Sequence, residues 1–145
     1  MDFKNWKAAI LDLDRYENGD DAKEFIDLIN SIPPNEIRKE HIKFLLDTFS
    51  NDDDYGVQDG VFLVLEKAQE HLYFQTLAEK FSGLIQKSSK QEWPLLILGR
   101  IVNSNKPYLI KEMLDAAKES KDKTMLNFIK LSYFINNYPE VVEFL

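Results

Sequence analysis

The residues best suited to chemistry form an acidic stretch, NDDDYGVQDG, from Asn51 to Gly60. A calcium-binding EF-hand loop needs oxygen ligands at its first, third, fifth and twelfth positions and a glycine at its sixth. Counting from Asn51 places Gly56 at the sixth position, but it also places Tyr55 at the fifth and Phe62 at the twelfth. Neither side chain supplies the carboxylate or amide oxygen that the loop requires. We therefore expect no metal at this stretch.

Catalytic motifs are absent from the rest of the sequence. The chain has no cysteine, and its two histidines, His41 and His71, have no motif partner. A lone histidine on a helix is more often a packing or surface residue than a catalytic one. The sequence also lacks a GxSxG elbow, a phosphate-binding glycine loop and an HExxH zinc motif. We expect a protein without enzymatic activity or a cofactor.

The distribution of charge indicates the class of partner. The net charge is −7, but residues 1–70 hold 17 Asp/Glu against 8 Lys/Arg, whereas residues 71–145 hold 8 against 10. An acidic half disfavours direct contact with nucleic acid or an anionic membrane. It favours a basic protein partner through long-range electrostatic attraction. Solubility alone is the alternative explanation of this charge.

Helices must position these residues, because apolar residues recur with the helical period along the whole chain. No alternating pattern predicts a strand. The predicted helix N-caps are Asp2, Asp20 or Asp21, Asn35, Asp54 and Asp122. We predict a single all-α domain, residues 1–145, of about eight helices.

Helices of about 12–16 residues with short connections are typical of a HEAT/armadillo-like α-solenoid built from antiparallel pairs. A closed helical bundle is compatible with the same local pattern. Gly56 and Gly60 are spaced one helical turn apart in the predicted fourth helix, which we expect to start near Tyr55. A glycine pair on one face predicts that another backbone packs closely there, either from the neighbouring helix of this protein or from a bound partner.

The composition also predicts a compartment. The absence of cysteine is typical of a reducing cytoplasm. The N-terminus lacks a basic segment followed by an apolar run, and no apolar stretch approaches the length of a membrane span. We expect a cytoplasmic protein without a membrane partner.

The segment from Asp54 to Glu66 has the form D-Y-G-V-Q-x-x-V-x-x-x-L-E and follows an amphipathic helix ending in FLLDTF at 44–49. Within a small acidic helical chain, this arrangement resembles the HEAT-like immunity proteins of bacterial polymorphic and contact-dependent toxin systems. The resemblance implies that the chain binds a cognate toxin domain, often a nuclease, and blocks it in the cell that makes it.

The residues that match the motif are the candidate partner-binding residues: Asp52, Asp53, Asp54, Tyr55, Gln58 and Asp59. The resemblance implies a basic toxin domain as the partner, and Tyr16, Tyr55, Tyr73 and Trp93 are candidate aromatic anchors for it. The alternative is a HEAT-like adapter that scaffolds other proteins without catalytic activity.

Overall fold

The computed structural model describes residues 1–54 and 56–145, and within these ranges every regular element is helical. The all-α prediction is therefore confirmed. The helices are α1 (Phe3–Leu11), α2 (Gly19–Ile29), α3 (Lys39–Asp47), α4 (Gln58–Leu65), α5 (Glu70–Ser88), α6 (Trp93–Val102), α7 (Pro107–Glu119), α8 (Thr124–Ile129) and α9 (Ser132–Asn137). Short 3₁₀ turns lie at Pro34–Glu36, Ser89–Gln91 and Pro139–Phe144.

The predicted N-cap Asp2 is confirmed, whereas Lys123 rather than Asp122 is the N-cap residue of α8. The Asp2 carboxylate accepts a hydrogen bond from the backbone N–H of Asn5, 2.8 Å away. The Asp122 carboxylate accepts one from the N–H of Thr124, the first residue of α8. Each bond satisfies a donor that the first helical turn leaves unpaired.

Two other predicted caps are wrong. Asn18, rather than Asp20 or Asp21, caps α2, because its side chain accepts hydrogen bonds from the N–H groups of both aspartates. Asn35 lies in a 3₁₀ turn, and α3 begins only at Lys39. At that point the ring nitrogen Nδ1 of His41 accepts a hydrogen bond from the N–H of Arg38. The first error arises because the Asn18 side chain reaches the free N–H groups of α2, and the second because a 3₁₀ turn at Pro34–Glu36 precedes α3.

The helix α5 is the central element of the fold. Its 19 residues contact α3, α6, α7 and α8. It can do so because its buried side chains are too numerous for a single narrow stripe: Tyr73, Phe74, Thr76, Leu77, Ala78, Phe81, Leu84 and Ser88. The odd-numbered helices α1, α3, α5 and α7 contact one another in chain order, and α2 contacts α4.

The two glycines of the acidic stretch do not share a helical face. Gly56 lies before α4 and has a φ of +76°, a left-handed conformation that L-residues with a side chain rarely adopt. Gly60 lies within α4, where an added Cβ would meet only side-chain atoms of Ile26 and Ile29, at 3.9–4.0 Å. The prediction that a neighbouring helix of this protein brings its backbone close to Gly60 is therefore wrong.

The tight approach to a glycine occurs at Gly99 in α6. A Cβ added there would overlap Cζ and the hydroxyl oxygen of Tyr138. The Tyr138 ring also packs against Phe134, with ring centroids 5.3 Å apart. The absence of a side chain at Gly99 therefore makes room for the C-terminal segment of the chain.

The first prediction compares alanine at Gly60 and Gly56. Gly60→Ala should raise the free energy of unfolding by up to about 1 kcal/mol, because alanine has the higher helix propensity and the site has room for a methyl group. Gly56→Ala should lower it by about 1 kcal/mol, because alanine is strained at positive φ. Chemical denaturation of both variants measures these changes. Destabilisation by Gly60→Ala would indicate tighter packing around α4 than the structure shows.

The second prediction concerns Gly99. Gly99→Ala should destabilise the fold by about 1–3 kcal/mol, because the added methyl group must displace the Tyr138 ring from Phe134. The control is Gly83→Ala in α5, where no atom lies within 4 Å of the added Cβ. In a Tyr138→Ala background the cost of Gly99→Ala should shrink. An equal cost in both backgrounds would show that Tyr138 is not the obstacle.

Candidate functional site

The candidate site is built on the loop that follows α3, residues 48–54, which we call the acidic loop. Its first residue is held by Arg15, a buried residue of the α1–α2 connection. One Nη of the Arg15 guanidinium donates to the carbonyl oxygen of Thr48 and to the hydroxyl of Tyr16. The guanidinium carbon also lies 4.8 Å from the centre of the Phe25 ring, within the range of a cation–π contact.

The middle of the acidic loop is held by groups that precede and begin α6. The carbonyl oxygen of Ser50 accepts a hydrogen bond from the Trp93 indole N–H at 3.1 Å. Asn51 accepts two more, one on its side chain from the N–H of Lys90 and one on its carbonyl oxygen from the Gln91 side chain. Since these partners come from a distant part of the sequence, tertiary packing fixes the shape of the loop.

Asp54 is the last residue of the acidic loop, and its side chain is buried. It is 3% exposed, and its Oδ1 accepts a hydrogen bond from the N–H of Gln58 at 3.3 Å. Its Oδ2 lies 3.4 Å from Nε of Arg15 but has no hydrogen-bond partner among the described residues. Burial raises the pKa of the Asp54 carboxyl above its ordinary value of 3.8, although the positive charge of Arg15 acts in the opposite direction.

Two of the predicted partner-binding residues are therefore structural. Gln58 is buried beside Asp54, and its side-chain amide donates to the Thr48 hydroxyl at 3.2 Å. A side chain enclosed in this way cannot contact a partner while the fold is intact. The side chains of Asp54 and Gln58, which were predicted to belong to a binding surface, are therefore buried in the fold.

The structure places Asp52 and Asp53 on the surface. No ion pair between described residues involves either carboxylate. The N–H of Asp52 donates to the Ser50 hydroxyl, so the backbone is ordered next to the free carboxylates. Tyr55, the other predicted residue of this loop region, lies outside the described residues.

Asp59 is also exposed, but it belongs to a different local environment. It lies in the first turn of α4 and shares a helical face with Phe62 and Glu66, at spacings of three and seven residues. The Glu66 carboxylate binds Arg100 through two hydrogen bonds, of 2.6 and 3.1 Å. The Arg100 guanidinium also lies over the Phe62 ring, 5.0 Å from its centre. Asp59 therefore lies on a face that also carries a cation from α6.

Among the candidate aromatic anchors that the structure describes, Tyr16 is the exposed one and lies beside the acidic loop. Tyr16 is 37% exposed, and its hydroxyl lies 3.1 Å from the Ser50 hydroxyl. It lines a surface groove of about 670 Å³ together with Leu11, Asp47, Asp52 and Lys87. By contrast, the candidate anchors Tyr73 and Trp93 are buried and half-buried respectively. The position of Tyr16 beside Ser50 depends on contact between distant segments of the chain, which periodicity alone does not show.

The described residues contain neither a metal-binding cluster nor a membrane-spanning helix. Across residues 1–54 and 56–145, no group of three or more His, Cys, Asp or Glu side chains is arranged to hold a metal ion. In the same ranges, no helix combines the length and apolar character needed to cross a lipid bilayer.

The third prediction tests the buried role of Asp54. Asp54→Ala should lower the free energy of unfolding by about 3 kcal/mol, because it removes the carboxylate that pairs with the buried Arg15 guanidinium and leaves the Gln58 N–H without its acceptor. Asp53→Ala is the matched control and should change stability by less than about 0.5 kcal/mol, because that carboxylate is exposed and unpaired. Urea denaturation of both variants measures the difference. Equal effects of the two substitutions would contradict a structural role for the buried Asp54 carboxylate.

Comparison of this chain with protein families, curated proteins and solved structures finds no match. Its function is therefore inferred from the geometry of the site.

Proposed function

We propose that this chain is an immunity protein that binds a cognate toxin domain with a basic surface, such as a nuclease, and neutralises it. The observation that carries the proposal is the state of Asp52 and Asp53. Both carboxylates are exposed and free of ion pairs between described residues, on a loop whose neighbouring residues are tied to three other parts of the fold. Ordering the loop in advance lowers the entropy cost of binding.

The proposed electrostatic mechanism follows from the chemistry of the partner. A nuclease holds the phosphates of its substrate with lysine and arginine side chains. Carboxylates on an ordered loop can occupy the same basic groups and thereby compete with the substrate. The excess acidity of residues 1–70 would accelerate encounter with such a surface, which favours rapid capture of newly made toxin.

The helix order supports the α-solenoid as the proposed architecture. Contacts run from α1 to α3, from α3 to α5 and from α5 to α7, while α2 contacts α4. Contacts between helices two apart in the chain are expected when antiparallel pairs stack in sequence. A closed four-helix bundle instead places all its helices around one common core. The cytoplasm is the proposed compartment, because a chain without cysteine suits a reducing environment.

The fourth prediction tests the acidic surface. The triple variant Asp52→Asn, Asp53→Asn and Asp59→Asn keeps side-chain shape and leaves the buried Asp54 intact. Stability should barely change, because exposed charges contribute little to it. Association with the toxin domain encoded beside this gene should slow by about tenfold at low salt and depend less steeply on ionic strength.

The matched control carries the same change in net charge elsewhere in the acidic half: Glu24→Gln, Asp27→Asn and Glu36→Gln, all at exposed positions. Association rates at two ionic strengths, together with survival of cells that express the toxin, distinguish the two surfaces. Full protection and unchanged rates for the first triple variant would exclude the acidic loop as the binding surface. An adjacent gene that encodes no toxin would favour the adapter hypothesis instead.

A further inference from the structure

His41 lies where α1 packs against the start of α3. Its side chain is buried, with 6% of its surface exposed. Two aromatic rings of α1 pack against the imidazole edge to face: the Phe3 ring at 5.2 Å and the Trp6 ring at 5.3 Å, centre to centre. Trp6 makes a similar contact with Phe44, three residues further along α3. The imidazole is therefore part of the surface on which α1 docks.

The helix α1 buries few side chains of its own. Trp6 and Ile10 are the buried residues among its nine. The indole N–H of Trp6 also donates to the carbonyl oxygen of Leu28 in α2, at 2.8 Å. A helix this short is not stable in isolation, so its position depends on these few contacts. A change in the charge of His41 therefore acts on an element that is held weakly.

A hydrogen bond at Nδ1 fixes the protonation state of the imidazole. The backbone N–H of Arg38 donates to Nδ1 of His41, and the two nitrogen atoms are 3.0 Å apart. Because a backbone N–H can only donate, Nδ1 must be free of a proton. The ring is therefore neutral, and its single proton lies on Nε2. In this state the ring supplies an acceptor at the N-terminus of α3, where backbone N–H groups lack partners within the helix.

Protonation of His41 would be unfavourable for three reasons. Nδ1 would become a donor that faces the Arg38 N–H, so the hydrogen bond would be lost. The new positive charge would lie in a buried position, away from water. It would also lie at the third residue of α3, where the helix dipole is positive. Burial is the largest cause that lowers the pKa of His41 from its ordinary value of 6.5.

The charged groups around the imidazole include acids and bases in equal number. Glu40 raises the pKa of His41, whereas Arg38 lowers it. Asp2 and Lys4 from α1 and Glu36 from the 3₁₀ turn lie around the same groove, to which the end of α2 adds Leu28, Ser31 and Ile32, none of them charged. Lys7 of α1 lies over the Phe44 ring, and Lys39 is paired with Glu79 of α5. With four acids against four bases, burial decides the direction of the shift.

We propose that His41 makes the docking of α1 on α3 sensitive to pH: the helix is held while the imidazole is neutral and detaches when the imidazole is protonated. This device does not depend on the proposed immunity function. The folded protein binds the proton less readily than the unfolded chain does. The stability that His41 contributes is therefore complete above pH 6.5 and is lost as the pH falls from 6.5 through the lowered pKa of the folded state.

An NMR titration of the wild-type protein from about pH 8 to about pH 5 tests the device directly. The imidazole signals of His41 should titrate with a midpoint below 6.5, and the nitrogen shifts above that midpoint should place the proton on Nε2. The Trp6 indole N–H should exchange with water faster, relative to the Trp93 indole, below the midpoint than above it. Trp93 is the internal reference because its indole donates to Ser50, away from α1.

Variants of the two histidines separate this effect from other groups that titrate. His41→Asn places an amide oxygen near the position of Nδ1, so the Arg38 N–H keeps an acceptor that does not change with pH. The matched control is His71→Asn, the same substitution at an exposed position of α5. Urea denaturation at about pH 7.5 and about pH 5 gives the unfolding equilibrium constant of each protein.

Acidification should raise the unfolding constant of the wild type and of His71→Asn by a larger factor than that of His41→Asn. The excess should be up to about tenfold for each pH unit between 6.5 and the NMR midpoint of His41. Equal factors for the wild type and His41→Asn would overturn the proposal, and so would a His41 midpoint at or above 6.5. If His41→Asn does not fold, the wild-type midpoint and the Trp6 exchange ratio decide the question.

Discussion

The buried guanidinium of Arg15 is the group on which the candidate site depends. It joins the α1–α2 connection to both ends of the acidic loop, through the Thr48 carbonyl oxygen and the Asp54 carboxylate. Phe25 lies against it, so the charge is enclosed by an aromatic ring as well as by oxygen acceptors. A buried guanidinium is costly unless its donors are matched. The loop is therefore constrained to the conformation that supplies these acceptors.

This constraint divides the four aspartates of the acidic stretch into three environments. Asp54 faces inward and is held at Arg15, whereas Asp52 and Asp53 remain in solvent. Asp59 begins α4, on the face that carries the Glu66–Arg100 pair. Aspartate therefore has three roles in this stretch. Asp54 pairs with Arg15 inside the protein, Asp52 and Asp53 are exposed in the acidic loop, and Asp59 forms part of a helix face. The negative charge exposed in the acidic loop is therefore smaller than the sequence alone indicates. Hydrogen bonds to the loop fix the position of the backbone that carries this charge.

The central helix α5 and the close contact at Gly99 position a groove that lies beside α6. The α5 helix supplies Tyr73 and Phe74 to the wall of the groove while it packs against α3, α6, α7 and α8. At Gly99 the Tyr138 ring lies against the backbone of α6 and closes one side of the groove. Both features depend on segments far apart in the chain. This groove is thus a product of packing between helices rather than of any local motif.

The sequence by itself determined the helical class of the protein, because a 3.6-residue apolar period fixes which residues can face a core whatever that core contains. It also located the Asp2 and Asp122 hydrogen bonds, since these reach only two or three residues along the chain. Only the tertiary structure decided which aspartates are buried and which glycine packs against a distant side chain. Arg15 lies 39 positions from Asp54, and Tyr138 lies 39 positions from Gly99, by their residue numbers. Contacts over such separations depend on how the helices pack, which local periodicity does not encode.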